Sequence, residues 1–416
     1  MSTVKAVKGG VCSARGFRAA GVAAEIKYKG RNDVALIVAD EPCAAAAVFT
    51  TNKVAAAPVL YDRETLRRQE CRRPFGVGSY VQAILANSGC ANACTGEQGL
   101  RDAKLSALVT AGELGVDPRH VLVASTGVIG RPLPMDRLLN GMKLAAKGLG
   151  RTPAHGLAAE KAVMTTDTKP KQACVTVTVG GKKVTVGGMS KGSGMIEPNM
   201  ATMLGFITTD AAISPAMLKR AIGLAIAKSF NRLVVDGDES TNDSVFLLAS
   251  GKAGNPTITQ SNADFRSFVE ALEAVCVSLA RQMATDGEGA TKFVTVTVKG
   301  AKSEKDAARA ARAVAKSPLA KTSWFGRDPN WGRVLAAVGY SGADVVDMKA
   351  EVFYDKVWAF RRGQVADAKQ LEKLAKVLKK DAFEVVVDLH LGTGESSVYT
   401  CDFSLDYVHI NADYTT

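Results

Sequence analysis

The sequence has no long hydrophobic run and no recognisable export signal. No apolar stretch approaches the roughly 20 residues that a membrane-spanning helix needs, so an integral membrane protein is excluded. The N-terminal stretch "MSTVKAVKGGVCSARGF" lacks the apolar centre of a secretory signal, and glycines interrupt it where a transit helix would need a continuous face. We therefore expect it to be mature sequence.

The sequence also contains no Cys-x-x-Cys pair and only four histidines. A structural zinc site needs paired ligands a few residues apart, and Cys90 and Cys94 have neither a second pair nor nearby histidines. The spacing therefore predicts no metal site. It is typical of a protein with free, mostly buried thiols in a reducing cytoplasm.

The formal net charge of +12 raises the question of a nucleic-acid partner. Phosphate binding needs clustered Lys and Arg, but here the basic residues are spread along the chain. The densest run, "KQLEKLAKVLKK", has apolar residues at Leu371, Leu374 and Leu378, a helical spacing that indicates a solvated helix face. Positive charge suits acidic small substrates equally well. Small-molecule chemistry is therefore favoured, and RNA binding is kept only as an alternative.

The hydrophobic pattern predicts a layered α/β sandwich (α+β) with two or three lobes in 416 residues. Helices are predicted from Glu97 to Leu114, after Ser214, and from Asn262 to Met283. "VTVTVGGKKVTVGG" predicts a hairpin turning at two glycines. Other runs have strand composition: "EIKYK", "DVALIVA", "VQAILAN", "HVLVAS", "MLGFITTD", "SVFLLAS", "KFVTVTVKG", "FEVVVDLHL" and "SSVYTCDFS".

Two short motifs suggest chemistry that their context disfavours. "GMSKG" matches the nucleophile elbow of serine hydrolases, with Ser190 as nucleophile, but glycines and Pro198 follow where that motif needs a helix. "VVDGDESTNDS" resembles a calcium loop, yet it lacks the glycine at position six and the glutamate at position twelve. A hydrogen-bonded acidic turn is the better interpretation.

The stretch "GMSKGSGMIEPNMATMLGFITTD" delivers Thr202 to the start of a strand through a loop with few large side chains. A threonine hydroxyl becomes nucleophilic beside a base, and cutting the chain between Ala201 and Thr202 would free an α-amine for that role. "STGVIG", from Ser125, is a strand-to-loop turn that can aim N–H groups at an oxyanion. From these residues alone, a plain buried strand threonine is the favoured interpretation.

Eight motifs, in order along the chain, resemble those of the ornithine acetyltransferase family, the glutamate N-acetyltransferases of arginine biosynthesis. The match as a whole runs in order from near residue 10 to the C-terminus, and its central motifs are long. The eight motifs are "ANSGCANACTG", "STGVIG", "AVMTTDTKPK", "KGSGMIEPNMATMLGFITTD", "VDGDESTND", "MATDGEGATKF", "SPLAKTSWFGRDPNWGRVLAAVGYSG" and "INADYTT".

This resemblance implies a self-cleaving precursor. Its α chain would be residues 1–201 and its β chain residues 202–416, intertwined in one catalytic unit and assembled as a heterotetramer of two α and two β chains. The implied fold is shared with an aminopeptidase group and is analogous to N-terminal nucleophile hydrolases. The implied site residues are the nucleophile Thr202, the oxyanion-hole residues Thr126 and Gly127, and the substrate-binding residues Thr165, Lys191, Thr202, Glu288, Asn411 and Thr416.

The implied reaction is ping-pong acetyl transfer from N2-acetylornithine to glutamate through an acetyl-Thr202 ester, without cofactor or metal. We predict that acetyl-CoA also serves as a donor, although no motif decides this. The alternative function is an amidohydrolase or aminopeptidase on a similar self-processed scaffold. No nucleic-acid or membrane partner is expected.

Overall fold

The computed structural model describes residues 3–71, 79–197 and 203–413, and fifteen strands lie within these ranges. They are β1 (Lys5–Ala6), β2 (Phe17–Val22), β3 (Val34–Phe49), β4 (Ser79–Asn87), β5 (Val121–Ser125), β6 (Lys171–Val179), β7 (Lys182–Lys191), β8 (Leu204–Thr209), β9 (Ser244–Ala249), β10 (Phe293–Ala301), β11 (Glu351–Tyr354), β12 (Val357–Arg361), β13 (Gln364–Val365), β14 (Ala382–Asp388) and β15 (Gly394–Cys401).

Eleven α-helices and three short 3₁₀ helices lie in the same described ranges. The α-helices are α1 (Ala57–Cys71), α2 (Gly96–Leu114), α3 (Met135–Lys147), α4 (Pro153–Val163), α5 (Pro215–Ala227), α6 (Ala263–Thr285), α7 (Glu304–Lys316), α8 (Pro318–Phe325), α9 (Trp331–Gly339), α10 (Ala368–Leu378) and α11 (Leu405–Asp413). The 3₁₀ helices are Pro118–His120, Phe230–Arg232 and Asp347–Lys349.

The larger sheet has nine strands in the order β1-β6-β7-β8-β9-β3-β4-β5, with β2 also paired to β3. The predicted hairpin is confirmed: β6 and β7 pair antiparallel and turn at Gly180 and Gly181, whose φ values of 54° and 73° suit glycine. The β8–β9 and β4–β5 pairs are parallel. The sheet is therefore mixed.

Helices cover both faces of this sheet. Val245 and Leu247 of β9 pack in the core that α5 and α6 share with β6 and β7, whereas Phe246 and Leu248 face the core that α4 closes. Successive side chains of a strand point to opposite faces, so a strand buried on both sides is apolar throughout. The helices α2 and α3 cover the end of the sheet formed by β3, β4 and β5.

The second sheet has six strands in the order β13-β12-β11-β14-β10-β15. Helices α7, α9 and α10 pack on it around a core that includes Trp324 and Tyr354, both fully buried. The predicted α/β layered fold class is confirmed by these helices and sheets. No helix in the described part of the chain combines the length and apolarity that crossing a bilayer requires.

One predicted strand is wrong. "EIKYK" forms bends instead, and the chain reaches β3 through a turn. The Asp33 carboxylate accepts hydrogen bonds from the Ala24 and Ile26 N–H groups, both at 2.6 Å, and Glu25 adopts a φ of 60°. A side chain that captures backbone N–H groups in this way competes with strand pairing.

Glu160 is a buried carboxyl in α4. Neither of its oxygens has a hydrogen-bond partner of good geometry among the described residues. Burial raises the pKa of Glu160 to about 8, although the neighbouring Gln172 amide and Lys171 charge lower it. The folded protein therefore holds this carboxyl as the neutral acid at neutral pH.

We expect Glu160→Gln to remove a pH dependence of stability. Between about pH 5 and 8 the unfolded chain releases the Glu160 proton while the folded protein keeps it, so this group lowers wild-type stability by about 1.4 kcal/mol per pH unit as pH rises. Urea unfolding of both proteins across this range measures the slope. The exposed Glu395→Gln variant is the control and should keep the wild-type slope. Equal slopes in wild type and Glu160→Gln would mean that Glu160 is ionised in the folded state.

Candidate active site

Six of the residues that the sequence analysis singles out line one cavity of about 120 Å³. They reach it from five separate parts of the chain. Ala201, Thr202 and Thr416 lie outside the described residues. The six are Thr126 and Gly127 after β5, Thr165 after α4, Lys191 at the end of β7, Glu288 after α6, and Asn411 in α11.

The loop after β5 gives the cavity a hydroxyl donor. The Thr126 N–H is occupied because it donates to the Asn87 carbonyl at 3.0 Å. The Lys191 Nζ donates to Thr126 Oγ1 at 3.2 Å. Since that oxygen accepts from an ammonium, its own proton is free to point at a bound oxyanion. The hydroxyl, rather than the N–H, is therefore the Thr126 group suited to an oxyanion hole.

Gly127 has no room for a side chain. Its φ is 129°, and an added Cβ would lie 2.7 Å from the Cys90 nitrogen. Asn242 fixes this loop from the other side, since its Nδ2 donates to the carbonyls of Ala91 at 2.7 Å and Ser125 at 2.8 Å. The loop is thus held between two other segments.

Glu288 and Asn411, which are 123 residues apart, meet directly. Asn411 Nδ2 donates to Glu288 Oε2 at 2.8 Å, and the Glu288 N–H donates to the Ser193 carbonyl at 2.8 Å. A Cβ on Gly194 would lie 2.6 Å from Glu288 Oε1. Gly194 therefore leaves space for a carboxylate from another segment.

The sequence analysis missed an acidic side of the cavity formed by Asp236, Asp238 and Tyr407. Asp236 accepts from the N–H groups of Met195 at 2.5 Å and Ile196 at 2.8 Å, and burial raises its pKa to about 6 against these hydrogen bonds. Burial, followed by the nearby Asp236 charge, raises the pKa of Tyr407. The acidic turn in "VDGDESTND" is confirmed as hydrogen-bonded. This motif is the sequence feature that could have indicated the acidic side of the cavity.

The motif "GMSKG" lies at the end of a strand. Ser190 is a buried residue within β7, and a loop rather than a helix follows it. Ser190 therefore lacks the following helix that the serine elbow needs. Within the described ranges, no group of three or more His, Cys, Asp or Glu side chains is arranged to hold a metal ion.

Lys191 lies among several charges. Burial lowers the pKa of Lys191, and the Asp167 carboxylate opposes this most strongly. Lys171 lowers that pKa further, whereas Asp243 and Glu288 raise it. The Lys191 side chain is 3% exposed, so these neighbours, rather than solvent, set its charge.

The chain belongs to the ArgJ family, whose model matches residues 18–416. It is 51% identical over 402 residues to the arginine biosynthesis bifunctional protein ArgJ of Geobacter sulfurreducens, covering 97% of this chain and 99% of the relative. It is also similar to the crystal structure of arginine biosynthesis bifunctional protein ArgJ from Bacillus halodurans, with 40% identity, a TM-score of 0.49, and coverage of 51% of this chain and 100% of that one. For ornithine acetyltransferase complexed with ornithine from Mycobacterium tuberculosis the identity is 38%, the TM-score 0.42, and the coverage 47% and 98%.

Two glycines of one loop offer a matched test of the oxyanion-hole assignment. Gly127→Ala forces a Cβ against the backbone, whereas Gly130, with a φ of 79°, has no heavy atom within 4 Å of an added Cβ. We expect Gly127→Ala to lower kcat/KM for acetyl transfer by about 10² to 10³, the usual loss of one oxyanion donor. Gly130→Ala should lose only stability, through backbone strain. Equal kinetics in the two variants would remove Gly127 from the site.

Proposed function

We propose that this protein is a glutamate N-acetyltransferase (ornithine acetyltransferase) of arginine biosynthesis. It moves the acetyl group of N2-acetylornithine to glutamate. The observation that carries the proposal is the meeting of Thr126, Gly127, Thr165, Lys191, Glu288 and Asn411 in one cavity. The name of the Geobacter relative, similar over almost the whole chain, supports the pathway and a second activity.

Thr202 is the proposed nucleophile. Two described neighbours support this role: the Met203 N–H donates to Asp243 Oδ1 at 2.8 Å, and Leu204 pairs with Lys191 in the β7–β8 ladder. Thr202 immediately precedes Met203 in the sequence. Its own α-amine, freed by cleavage, is the proposed base.

In the first half-reaction the Thr202 hydroxyl attacks the acetyl carbonyl of N2-acetylornithine, and its proton passes to the α-amine. The oxyanion of the tetrahedral intermediate accepts hydrogen bonds from the Thr126 hydroxyl and the Gly127 N–H. When the C–N bond breaks, the ornithine nitrogen takes the proton and leaves. An acetyl ester remains on Thr202.

In the second half-reaction the neutral amine of glutamate attacks the ester carbonyl, and the same donors hold the oxyanion. The threonine oxygen leaves and recovers a proton, and N-acetylglutamate departs. Acetyl-CoA can load the same ester when its thioester replaces the amide, which would give the second activity. No cofactor is required by these steps.

Lys191 and Glu288 divide the charge recognition in this scheme. The Lys191 ammonium, held at Thr126 Oγ1, supports the oxyanion and attracts a substrate carboxylate. The Glu288 carboxylate, fixed by Asn411, is suited to hold a substrate ammonium or relay a proton. Thr165 contributes a polar wall to the cavity. Thr416 is assigned to substrate binding by the resemblance alone.

We also propose that the chain cuts itself between Ala201 and Thr202. The products, residues 1–201 and 202–416, stay together as an α2β2 heterotetramer in the cytoplasm. The intertwined fold supports their remaining together, because β7 of the first fragment pairs with β8 of the second. The seven described cysteines outside residue 71 are free thiols, which is typical of a reducing compartment.

Purified protein given N2-acetylornithine and glutamate should form equimolar ornithine and N-acetylglutamate, measured by mass spectrometry. Ornithine with acetate would instead identify a hydrolase, because water would then be the acceptor. Acetyl-CoA with glutamate should also give N-acetylglutamate and free CoA. If acetyl-CoA gives no N-acetylglutamate, the enzyme is monofunctional. If neither donor gives N-acetylglutamate, the proposal is contradicted.

The purified protein should run on a denaturing gel as two bands, each about half of the 43.7 kDa chain. N-terminal sequencing of the second band should begin at Thr202. Thr202→Ala should stay uncut and inactive because alanine lacks the nucleophilic oxygen. Thr202→Ser keeps that oxygen and should still cut. A fully active wild-type protein that remains a single chain would rule out the N-terminal nucleophile.

A further inference from the structure

A buried ion triad of Lys171, Asp167 and Asp286 lies behind the cavity. Lys171 Nζ is 2.7 Å from Asp167 Oδ1 and 2.6 Å from Asp286 Oδ2. The three side chains are at most 5% exposed. Burying a charge is costly unless it is paired and hydrogen-bonded, so each member of the triad depends on the others.

Asp167 also joins two segments that carry predicted site residues. Its Oδ2 accepts from the Thr165 N–H at 3.0 Å, and its Oδ1 accepts from the Gly192 N–H at 2.7 Å. One carboxylate therefore fixes the backbone of Thr165 and the residue next to Lys191. A group with several buried hydrogen bonds has little freedom to move.

Asp286 extends the same connection to a third segment. It accepts from the N–H groups of Thr168 at 3.0 Å and Lys169 at 3.2 Å, and it precedes Glu288 by two residues. The Thr166 and Ser193 hydroxyl groups, 2.7 Å apart, form a second link between the segment of Thr165 and the segment of Lys191. The triad thus ties together the backbones that present Thr165, Lys191 and Glu288.

The charges of the triad act on Lys191 directly. Burial acts to raise the pKa of Asp167, but the Lys191 and Lys171 ammonium groups outweigh it and hold this pKa at about 2. The charged groups that act on Lys191 are Asp167, Lys171, Asp243 and Glu288, and Asp167 has the largest favourable effect on the ammonium form. Lys171 thus helps to keep Asp167 ionised, and Asp167 favours the charged state of Lys191.

We propose that Asp167 is a positioning residue for acetyl transfer: its hydrogen bond to the Gly192 N–H holds the segment that presents Lys191 beside Thr126, and its carboxylate, paired with Lys171, places a negative charge next to that segment. This role rests on the proposed function, since Lys191 matters through the oxyanion and carboxylates of that reaction. Asp167 itself does not line the cavity, so it acts through Lys191 and Thr165.

The test is the pH profile of kcat/KM for acetyl transfer in Asp167→Asn. This substitution removes the charge and nearly keeps the shape. Without the carboxylate, Lys191 loses its proton at lower pH, so the alkaline limb should move to lower pH. Activity should therefore recover partly at lower pH. A loss that is equal at every pH would overturn the role, because a purely structural defect does not titrate.

Two further variants separate charge from stability. Lys171→Arg keeps the positive charge and should retain the wild-type alkaline limb. Leu374→Ala opens a cavity in the distant core of the second sheet and should lower Tm without moving that limb. A shifted limb in Leu374→Ala would mean that the shift reports stability, and the role of Asp167 would be withdrawn.

A direct measurement on the wild-type protein covers the case in which Asp167→Asn does not fold. Trace labelling with acetic anhydride, followed by mass spectrometry of the Lys191 peptide, gives the pH at which this amine becomes reactive. A midpoint above pH 7 supports the ammonium, and a midpoint below pH 7 overturns it. This readout needs no transfer activity, so failure of the proposed function is distinguishable from failure of this role.

Discussion

The burial of the Lys191 ammonium is the constraint on which the site depends. The side chain is 3% exposed at the end of β7, so its charge must be balanced by protein groups. Those groups come from segments far apart in the chain: the Thr126 hydroxyl, the Asp167 carboxylate and the more distant charges of Asp243 and Glu288. Burial of Lys191 as an ammonium therefore depends on the assembly of these segments around β7.

Close approach of these segments explains why so many glycines surround the cavity. Gly127 lies against the backbone of Cys90, and Gly194 lies against the Glu288 carboxylate. A side chain at either position would push these neighbouring segments apart. At Gly194 the Glu288 carboxylate occupies the space that a side chain would need, so Lys191 and Glu288 can line the same small cavity.

Local features of the fold could be predicted because neighbouring residues determine them. The β6–β7 hairpin follows from its glycine pair, and α5 and α6 begin at the caps Ser214 and Asn262. The strand predicted at "EIKYK" does not form because Asp33, which lies beyond the pattern itself, captures the backbone there.

The resemblance located six cavity residues, but it did not indicate the triad. Lys171 and Asp286 are 115 residues apart, and no spacing rule links them. The topology of the chain brings such a pair together, and sequence periodicity does not indicate topology.

In the proposed reaction one cavity binds two substrates in turn, and their side chains have opposite charges. Ornithine carries an ammonium where glutamate carries a carboxylate. The chain as a whole has a net charge of +12, yet Asp236, Asp238 and Glu288 all line this cavity together with Lys191. The Asp167 charge favours the Lys191 ammonium, and Asn411 donates a hydrogen bond to Glu288, so both groups have protein partners without a substrate. A site whose charges are satisfied internally can release one substrate and admit the other without leaving a buried ion unpaired between the two half-reactions.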